Sequence, residues 1–207
     1  MEISLCILVR NEERSLKHTL PPLTPHFAEI VIMDDYSSDD TLGVAKKAPG
    51  NIQIYRLKET VRETGFAVAA NEMLDRASLD WRLIIDADEG LDRPDLLDQL
   101  IRHQDVLVWS LPRRKWGFRR GRAFRTEYEA YPDWQIRLIH KNAEGRFEGQ
   151  MHVQWAGEKA EKAFRGPHVE HYQEEFRDTH KIGHREKLYK QLSRLQGVRI
   201  HGGKPII

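Results

Sequence analysis

An α/β fold on a mostly parallel central sheet, with flanking helices, is what this 207-residue sequence predicts, and three observations predict it. Apolar, β-type runs alternate with helix-signalled segments through the first half of the chain, a pattern that buries a parallel sheet between helices. Several of those runs are almost continuously apolar, as strands covered on both faces are. One of them, WRLIIDADEG at residues 81–90, ends in Asp86, Asp88 and Glu89; a buried strand accounts for its first half but not for its second.

ISLCILV (3–9) is the expected first strand; RNEER follows at once, so the run is too short to span a bilayer, and no small-residue cleavage site comes after it. It reads as a mature first strand. NEERSLKHTL, ahead of Pro21-Pro22, is the first helix. EIVIMD (29–34) is the second strand, and SSDDTLGVAKKA the second helix, with Ser37, Ser38 or Asp39 as its cap and acidic residues in its first turn. NIQIYRL (51–57) and GFAVAANEMLDRA form the third pair, and WRLIID (81–86) and RPDLLDQLIRH the fourth. DVLVWSL (105–111) is a fifth strand.

From about residue 112 the chain turns basic, aromatic and glycine-punctuated, with shorter strand signals that suggest hairpins or an extension of the sheet. EEFRDTHKIGHREKLYKQLSRLQG then shows Leu188, Leu192 and Leu195 at i, i+4, i+7 spacing, a helical pattern, and HGGKPII reads as a loose tail. The organisation expected is one domain over 1–207: a first half at 1–111, a smaller mixed region at 112–173, and a C-terminal helix at 174–200.

Composition narrows the function. A chain of this length buries roughly 70% of its unfolded surface, enough for one sizeable core. Its 33 basic and 32 acidic side chains leave a formal charge of +1, so no global field draws it to nucleic acid or anionic lipid. Cys6 is the single cysteine; an intramolecular disulfide and a cysteine-based zinc site are excluded, which suits a reducing cytoplasm. One local patch stands out: Arg113, Arg114, Lys115, Arg119, Arg120, Arg122 and Arg125, interleaved with Trp116, Phe118 and Phe124. A solvated hairpin is the commonest cause of such a run. Because no nucleic-acid motif accompanies it, an acceptor or peripheral membrane contact ranks above a nucleic-acid partner.

In open α/β sheets ligands bind beyond the carboxyl ends of the strands, where strand order reverses. Asp34 and Asp35 close the second strand and Asp86 and Asp88 the fourth, so both clusters fall on one edge of the sheet. If strand geometry persists, Asp86 and Asp88 project to the same side and Ala87 away. Carboxylates that close repel unless a cation or proton joins them, and oxygen ligands suit Mg²⁺ or Mn²⁺ shared with substrate phosphates. The competing reading of these acids is a helix N-terminus ahead of LDRPDLLDQLIRH.

SLCILVRNEERSL, EIVIMDDYSSDDT and WRLIIDADEGL together resemble, in order and spacing, the three signature segments of family 2 glycosyltransferases of the GT-A fold, in the branch that includes lipopolysaccharide-core transferases. The resemblance implies a metal-dependent, inverting transferase that moves a sugar from a nucleotide-diphosphate donor, a UDP-sugar foremost with GDP and dTDP open, to a glycan or lipid-linked glycan hydroxyl. It implies that Val9, Arg10, Asn11 and Glu12 border the nucleotide and that Asp34 or Asp35 accepts hydrogen bonds from base or ribose. Asp86, with Ala87, faces ribose and diphosphate; Asp88 holds Mn²⁺ or Mg²⁺; Glu89 flanks the site. GFAVAANEML is similar to a helix carrying an Arg-Asn pair beside the donor. Asn71 matches, Ala70 replaces the arginine, and Arg62 is the candidate to supply that charge.

An inverting transfer needs a carboxylate to take the acceptor proton. YPDWQIRLIH looks like the acidic stretch that precedes an Arg-Leu pair in these enzymes, which makes Asp133 the candidate base, with Glu127, Glu129 and Glu148 as rivals. His152 and His171 resemble two late histidines of the branch. Val153 stands where glutamate often follows the first, and His171 is the one expected to complete the metal shell. Two other classes compete. A sugar nucleotidyltransferase usually opens with a glycine-rich phosphate loop, and LVRNEERS has no glycine; a non-catalytic nucleotide-sugar-binding protein would tolerate loss of Asp88.

Overall fold

The computed structural model describes residues 1–119, 122–125, 131–172, 188, 191–192, 200–201 and 204–205. Strand β1 (Ile3–Val9) leads into helix α1 (Glu13–Leu23), and β2 (Glu29–Asp34) into α2 (Thr41–Lys47). After β3 (Ile52–Arg56) come a short α3 (Val61–Thr64) and α4 (Phe66–Arg76), then β4 (Trp81–Asp86). These four strands lie parallel in the order β3-β2-β1-β4.

Alternation along the strands sorts the core into two layers. Ile3, Leu5, Ile7 and Val9 of β1, Ile30 and Ile32 of β2, and Leu83 and Ile85 of β4 face Leu16 and Leu20 of α1 and Ala45 of α2. Cys6, Val31, Met33 and Ile84 point the other way, onto Val61 of α3 and Ala69, Met73 and Leu74 of α4. Both faces are covered, which is why the strand sequences read as unbroken apolar runs.

The expected first helix was to stop before Pro21-Pro22, yet α1 runs through both. They occupy its last turn, ahead of a 3-10 turn at Thr24–His26. The carbonyls they leave without an i+4 donor belong to Lys17 and His18, on the exposed face of the helix, while Leu20 and Leu23 pin its other face to the core.

Beyond β4 the structure departs further from expectation. Asp86, Asp88 and Glu89 do not start a helix: Glu89–Leu91 form strand β5, and RPDLLDQLIRH contributes only a 3-10 turn at Pro94–Leu96 and one turn of helix, α5 (Leu97–Leu100). The fifth expected strand begins later and runs longer, as β6 (Val108–Arg119). It does not join β4 in parallel. After β7 (Arg122–Arg125), which forms a hairpin with β6, strand β8 (Asp133–His140) inserts antiparallel between β4 and β6.

A small antiparallel pair, β9 (Gly145–Glu148) and β10 (Gln154–Gly157), comes next, then β11 (Glu161–Lys162) and β12 (Val169–His171). The main sheet thus continues β4-β8-β6-β12-β5, with β7 and β11 also on β6. A last pair, β13 (Ile200–His201) with β14 (Lys204–Pro205), stands apart. Of the expected C-terminal helix, Leu188, Gln191 and Leu192 are helical and Leu192 is fully buried; Ile200, its expected last residue, is instead in β13, and the rest of 174–199, Leu195 included, lies outside the described residues. Among the described residues, no helix is long and apolar enough to cross a membrane.

Candidate active site

Strand order reverses between β1 and β4, so the carboxyl ends of these strands frame the crevice where an open α/β sheet takes its ligand. The chain leaves β1 through Arg10 and turns at Asn11, which is in the left-handed region at φ 54°; Tyr36 does the same after β2 at φ 56°. Asparagine tolerates that conformation, whereas a tyrosine there is strained. Side chains stitch the two turns together. Asn11 N donates to Ser37 Oγ at 3.0 Å, Ser38 N donates to Asn11 Oδ1 at 2.7 Å, and Glu12 N donates to Thr41 Oγ1 at 2.7 Å.

Both aspartates at the end of β2 are buried and engaged. Asp34 accepts from Ser37 N at 2.9 Å and from Arg56 Nε at 3.3 Å. Asp35 accepts from Arg10 Nη1 at 2.9 Å and from Val61 N at 3.1 Å, and its own N–H donates to Val9 O at 2.8 Å. Val9, Arg10, Asn11, Glu12, Asp34 and Asp35 are therefore one hydrogen-bonded rim.

The DAD segment, Asp86-Ala87-Asp88, begins at the last residue of β4, on the same sheet edge. Asp86 has the most exposed carboxylate there, with 57% of its side chain open. Ala87 is buried and its carbonyl accepts from Thr19 Oγ1 at 2.7 Å, tying the turn to α1. Asp88 Oδ2 lies 3.4 Å from His171 Nε2, and Asp88 O accepts from Tyr172 N at 2.9 Å. Pairing of β12 with β5, which sets His171 opposite Glu89, makes this contact.

Two donors 3.4 Å apart fit adjacent corners of an octahedral ion, where ligands at about 2.0–2.1 Å stand roughly 3 Å from one another. His171 Nδ1 is buried with no hydrogen-bond partner, which leaves Nε2 as the nitrogen with a polar counterpart. Among the described residues no three or more His, Cys, Asp or Glu side chains cluster as a metal site. The residues present fit a divalent ion that Asp88 and His171 would hold.

Behind the DAD turn lies a charged cluster whose members the sequence named separately, Glu89 as flanking the site, but did not bring together. Glu89 is completely buried; its Oε2 accepts from Asp86 N at 2.9 Å and its Oε1 from Arg137 Nη2 at 2.7 Å, with Arg113 Nη1 at 3.5 Å. Burial pushes the Glu89 carboxyl up, against the pull of Arg137 and Arg113. Burial also works against the Arg137 charge, but Glu89 and Asp86 hold its pKa above the ordinary value.

Asp133, at the start of β8, accepts on Oδ2 from Arg113 Nε at 2.8 Å and Nη2 at 2.6 Å, and on Oδ1 from Gln135 at 2.7 Å. Partial burial raises its pKa, yet the Arg113 hydrogen bonds and charge outweigh that and hold the carboxyl below the usual range. Arg137 belongs to the Arg-Leu pair that located Asp133 in the sequence; Arg113 was hidden in the basic run.

Other expected site residues have partners outside that rim and the DAD turn. Arg62 Nε donates to Gln191 Oε1 at 2.6 Å. Asn71 gives both halves of its amide to the backbone of Phe147 on β9, at 2.9 Å each way. His152 and Glu148 are exposed, Glu148 on the β9–β10 ribbon. Glu127 and Glu129 lie outside the described residues, as does Arg120 of the basic run.

A sheet of this order, with acidic residues at its switch point, is of the GT-A type. The model of glycosyl transferase family 2 matches residues 4–192, and the chain belongs to that family. It is 33% identical over 86 residues to the SPbeta prophage-derived glycosyltransferase SunS of Bacillus subtilis, covering 42% of this chain and 20% of SunS. It is 32% identical over 123 residues to a TPR repeat-containing protein of Synechococcus elongatus, covering 54% of this chain and 29% of that protein. The matches thus span less than a third of either relative. Among solved structures, S. aureus TarS 1–349 in complex with UDP-GlcNAc superposes with a TM-score of 0.53 at 17% identity, over 94% of this chain and 65% of that TarS fragment, a likeness of fold.

Proposed function

We propose that the chain is a metal-dependent, inverting glycosyltransferase domain. It moves a sugar from a nucleotide-diphosphate donor, a UDP-sugar foremost with GDP and dTDP sugars as alternatives, to a hydroxyl on a glycan or lipid-linked glycan reached from the cytoplasm. The observation that carries this reading is the Asp88–His171 pair beyond the carboxyl end of β4, on the same sheet edge as the family's first two signature segments.

In this reading the rim from Val9 to Glu12, with Asp34 and Asp35, borders the nucleotide, and Arg62 flanks it on the α3 side, while Asn71, expected beside the donor, instead ties α4 to β9. Asp86 and Ala87 line the ribose and diphosphate, and Asp88 and His171 hold Mn²⁺ or Mg²⁺. Such an ion, when bound, offsets the charge that builds on the leaving diphosphate. Asp133 takes the proton from the attacking hydroxyl as it displaces the diphosphate from the opposite face of the sugar. The hydrogen bonds from Arg113 keep Asp133 ionised, as a base must be before it acts.

Calorimetry of the full chain with UDP-glucose, UDP-N-acetylglucosamine, GDP-mannose and dTDP-glucose, each with and without Mn²⁺, tests the proposal. Binding of one nucleotide class that depends on Mn²⁺ is expected. Failure to bind any of the four would sink the transferase reading and leave a protein that retains the fold alone.

A further inference from the structure

We infer that Glu89 is a positioning residue for the transfer: with Arg113 and Arg137 it holds the Asp86 turn and the Asp133 strand in one frame. This rests on the glycosyltransferase function proposed for the site.

Glu89 is shut away from any substrate, so it acts only through what it touches. Its Oε2 fixes the Asp86 amide at 2.9 Å, at the turn that aims Asp86 and Asp88 outward. Its Oε1 takes Arg137 at 2.7 Å, and the same Arg137 nitrogen reaches Asp86 Oδ2 at 3.5 Å. Arg113 spans the remaining gap. It faces Glu89 Oε1 with Nη1 and grips a single oxygen of Asp133 with Nε and Nη2. The Asp86–Asp88 turn and the Asp133 strand are therefore joined by two guanidinium groups that share one buried carboxyl group.

Sheet register makes the arrangement obligatory. Glu89 lies opposite His171 in the β5–β12 pair, and Val169 and His171 of β12 align with Arg113 and Lys115 of β6; alternation puts these residues on one face. Asp133 sits directly across from Arg113 in the β6–β8 pair. Glu170 and Arg114, one residue along, pair with each other instead.

As pure stabilisers, buried ion pairs are poor: well-packed apolar side chains of similar volume often do as well or better. An ion set at the mouth of a site is better explained by the geometry it enforces. A displacement of about 1 Å at reacting groups slows transfer on the order of 100-fold.

The test is Mn²⁺-dependent hydrolysis of UDP-glucose, UDP-N-acetylglucosamine, GDP-mannose and dTDP-glucose, which needs no acceptor, by wild type, Glu89→Gln, Arg113→Lys and the double variant. Glu89→Gln is expected to lower kcat at least tenfold, with donor KM changed less than threefold. The double variant is expected to lose no more than the worse single variant, because the two residues act as one unit. Strictly multiplicative losses, or a Glu89→Gln enzyme with normal kcat, would overturn the inference.

Arg137 left without its counter-ion is liable to weaken folding, so Glu89→Gln/Arg137→Met is measured as well. Its melting temperature should recover towards wild type while kcat stays depressed; recovery of kcat would mean that Glu89 is structural only. A wild type that neither binds nor hydrolyses any donor sinks the transferase reading itself, whereas an active wild type with an unimpaired Glu89→Gln sinks this inference alone.

Discussion

His171 Nε2 stands 3.4 Å from Asp88 Oδ2 because β12 returns antiparallel beside β5 and Tyr172 N donates to Asp88 O. The backbone thus fixes the pair before any ion arrives. Asp88→Ala is expected to abolish Mn²⁺-dependent donor turnover, and His171→Gln to weaken the apparent Mn²⁺ affinity on the order of 10–100-fold. Turnover titrated with Mn²⁺ reads both, and an unchanged Mn²⁺ midpoint in His171→Gln would remove it from the metal shell.

The Arg113–Asp133 contact sets a pH dependence. Asp133 has a folded pKa below its unfolded value of about 3.9. Its contribution to stability is therefore fully present above that value and is lost as the pH falls through the lower folded pKa. With Asp133 as the proposed base, the acid limb of kcat/KM is expected to follow the same group. Arg113→Met should move that limb to higher pH, and an identical pH profile in Arg113→Met would exclude Asp133 as the titrating base.

Asp35 supplies the acceptor for the Val61 amide, a buried contact at 3.1 Å, as well as a partner for Arg10. Asp35→Ala leaves that amide unsatisfied and should destabilise the fold by about 1–3 kcal/mol. Asp35→Asn retains an acceptor and should lose less. Urea unfolding midpoints compare the two, and equal losses would contradict the geometry.

Asn71 presents a sharper contest between sequence and structure. Its family position suggests a donor contact, whereas its amide makes a two-point bridge to Phe147 that ties α4 to β9. Asn71→Ala should lower stability by about 1–3 kcal/mol while leaving Mn²⁺-dependent donor affinity within threefold. A tenfold fall in affinity with unaltered stability would favour the family role.

Gly65 joins α3 to α4 with φ +90°, and a Cβ there would lie 2.7 Å from Gln150 Cα, a backbone atom that cannot step aside cheaply. Both the left-handed backbone and the close approach call for glycine. Gly65→Ala should destabilise by more than about 1 kcal/mol, read as a lowered unfolding midpoint; a neutral substitution would mean that the α3–α4 junction sits further from residue 150.

Where the sequence located an element well, the cause was local. Strands β1, β2 and β4 match their expected spans, and β3 lies within a residue of its own at each end, because apolar runs covered on both faces carry their boundaries in composition. The acidic strand ends were legible for the same reason: a charge closing a buried run has to lie at its mouth. The helix through Pro21-Pro22 was not legible, since Leu20 and Leu23 hold its last turn against the core where the two prolines donate no hydrogen bond.

By itself, then, the sequence determined the parallel half of the sheet, the edge on which its carboxylates gather, and the family. Only the tertiary structure decided that a strand rather than a helix succeeds the DAD segment, where β6 pairs, and that Glu89 is an interior anchor while Asp86 is open. The physical reason is the range of the interactions involved. Hydrophobic period and turn chemistry act over a few residues, whereas the register of β5, β12, β6 and β8, which brings Glu89, His171, Arg113 and Asp133 onto one face, is set by strands distant in the chain.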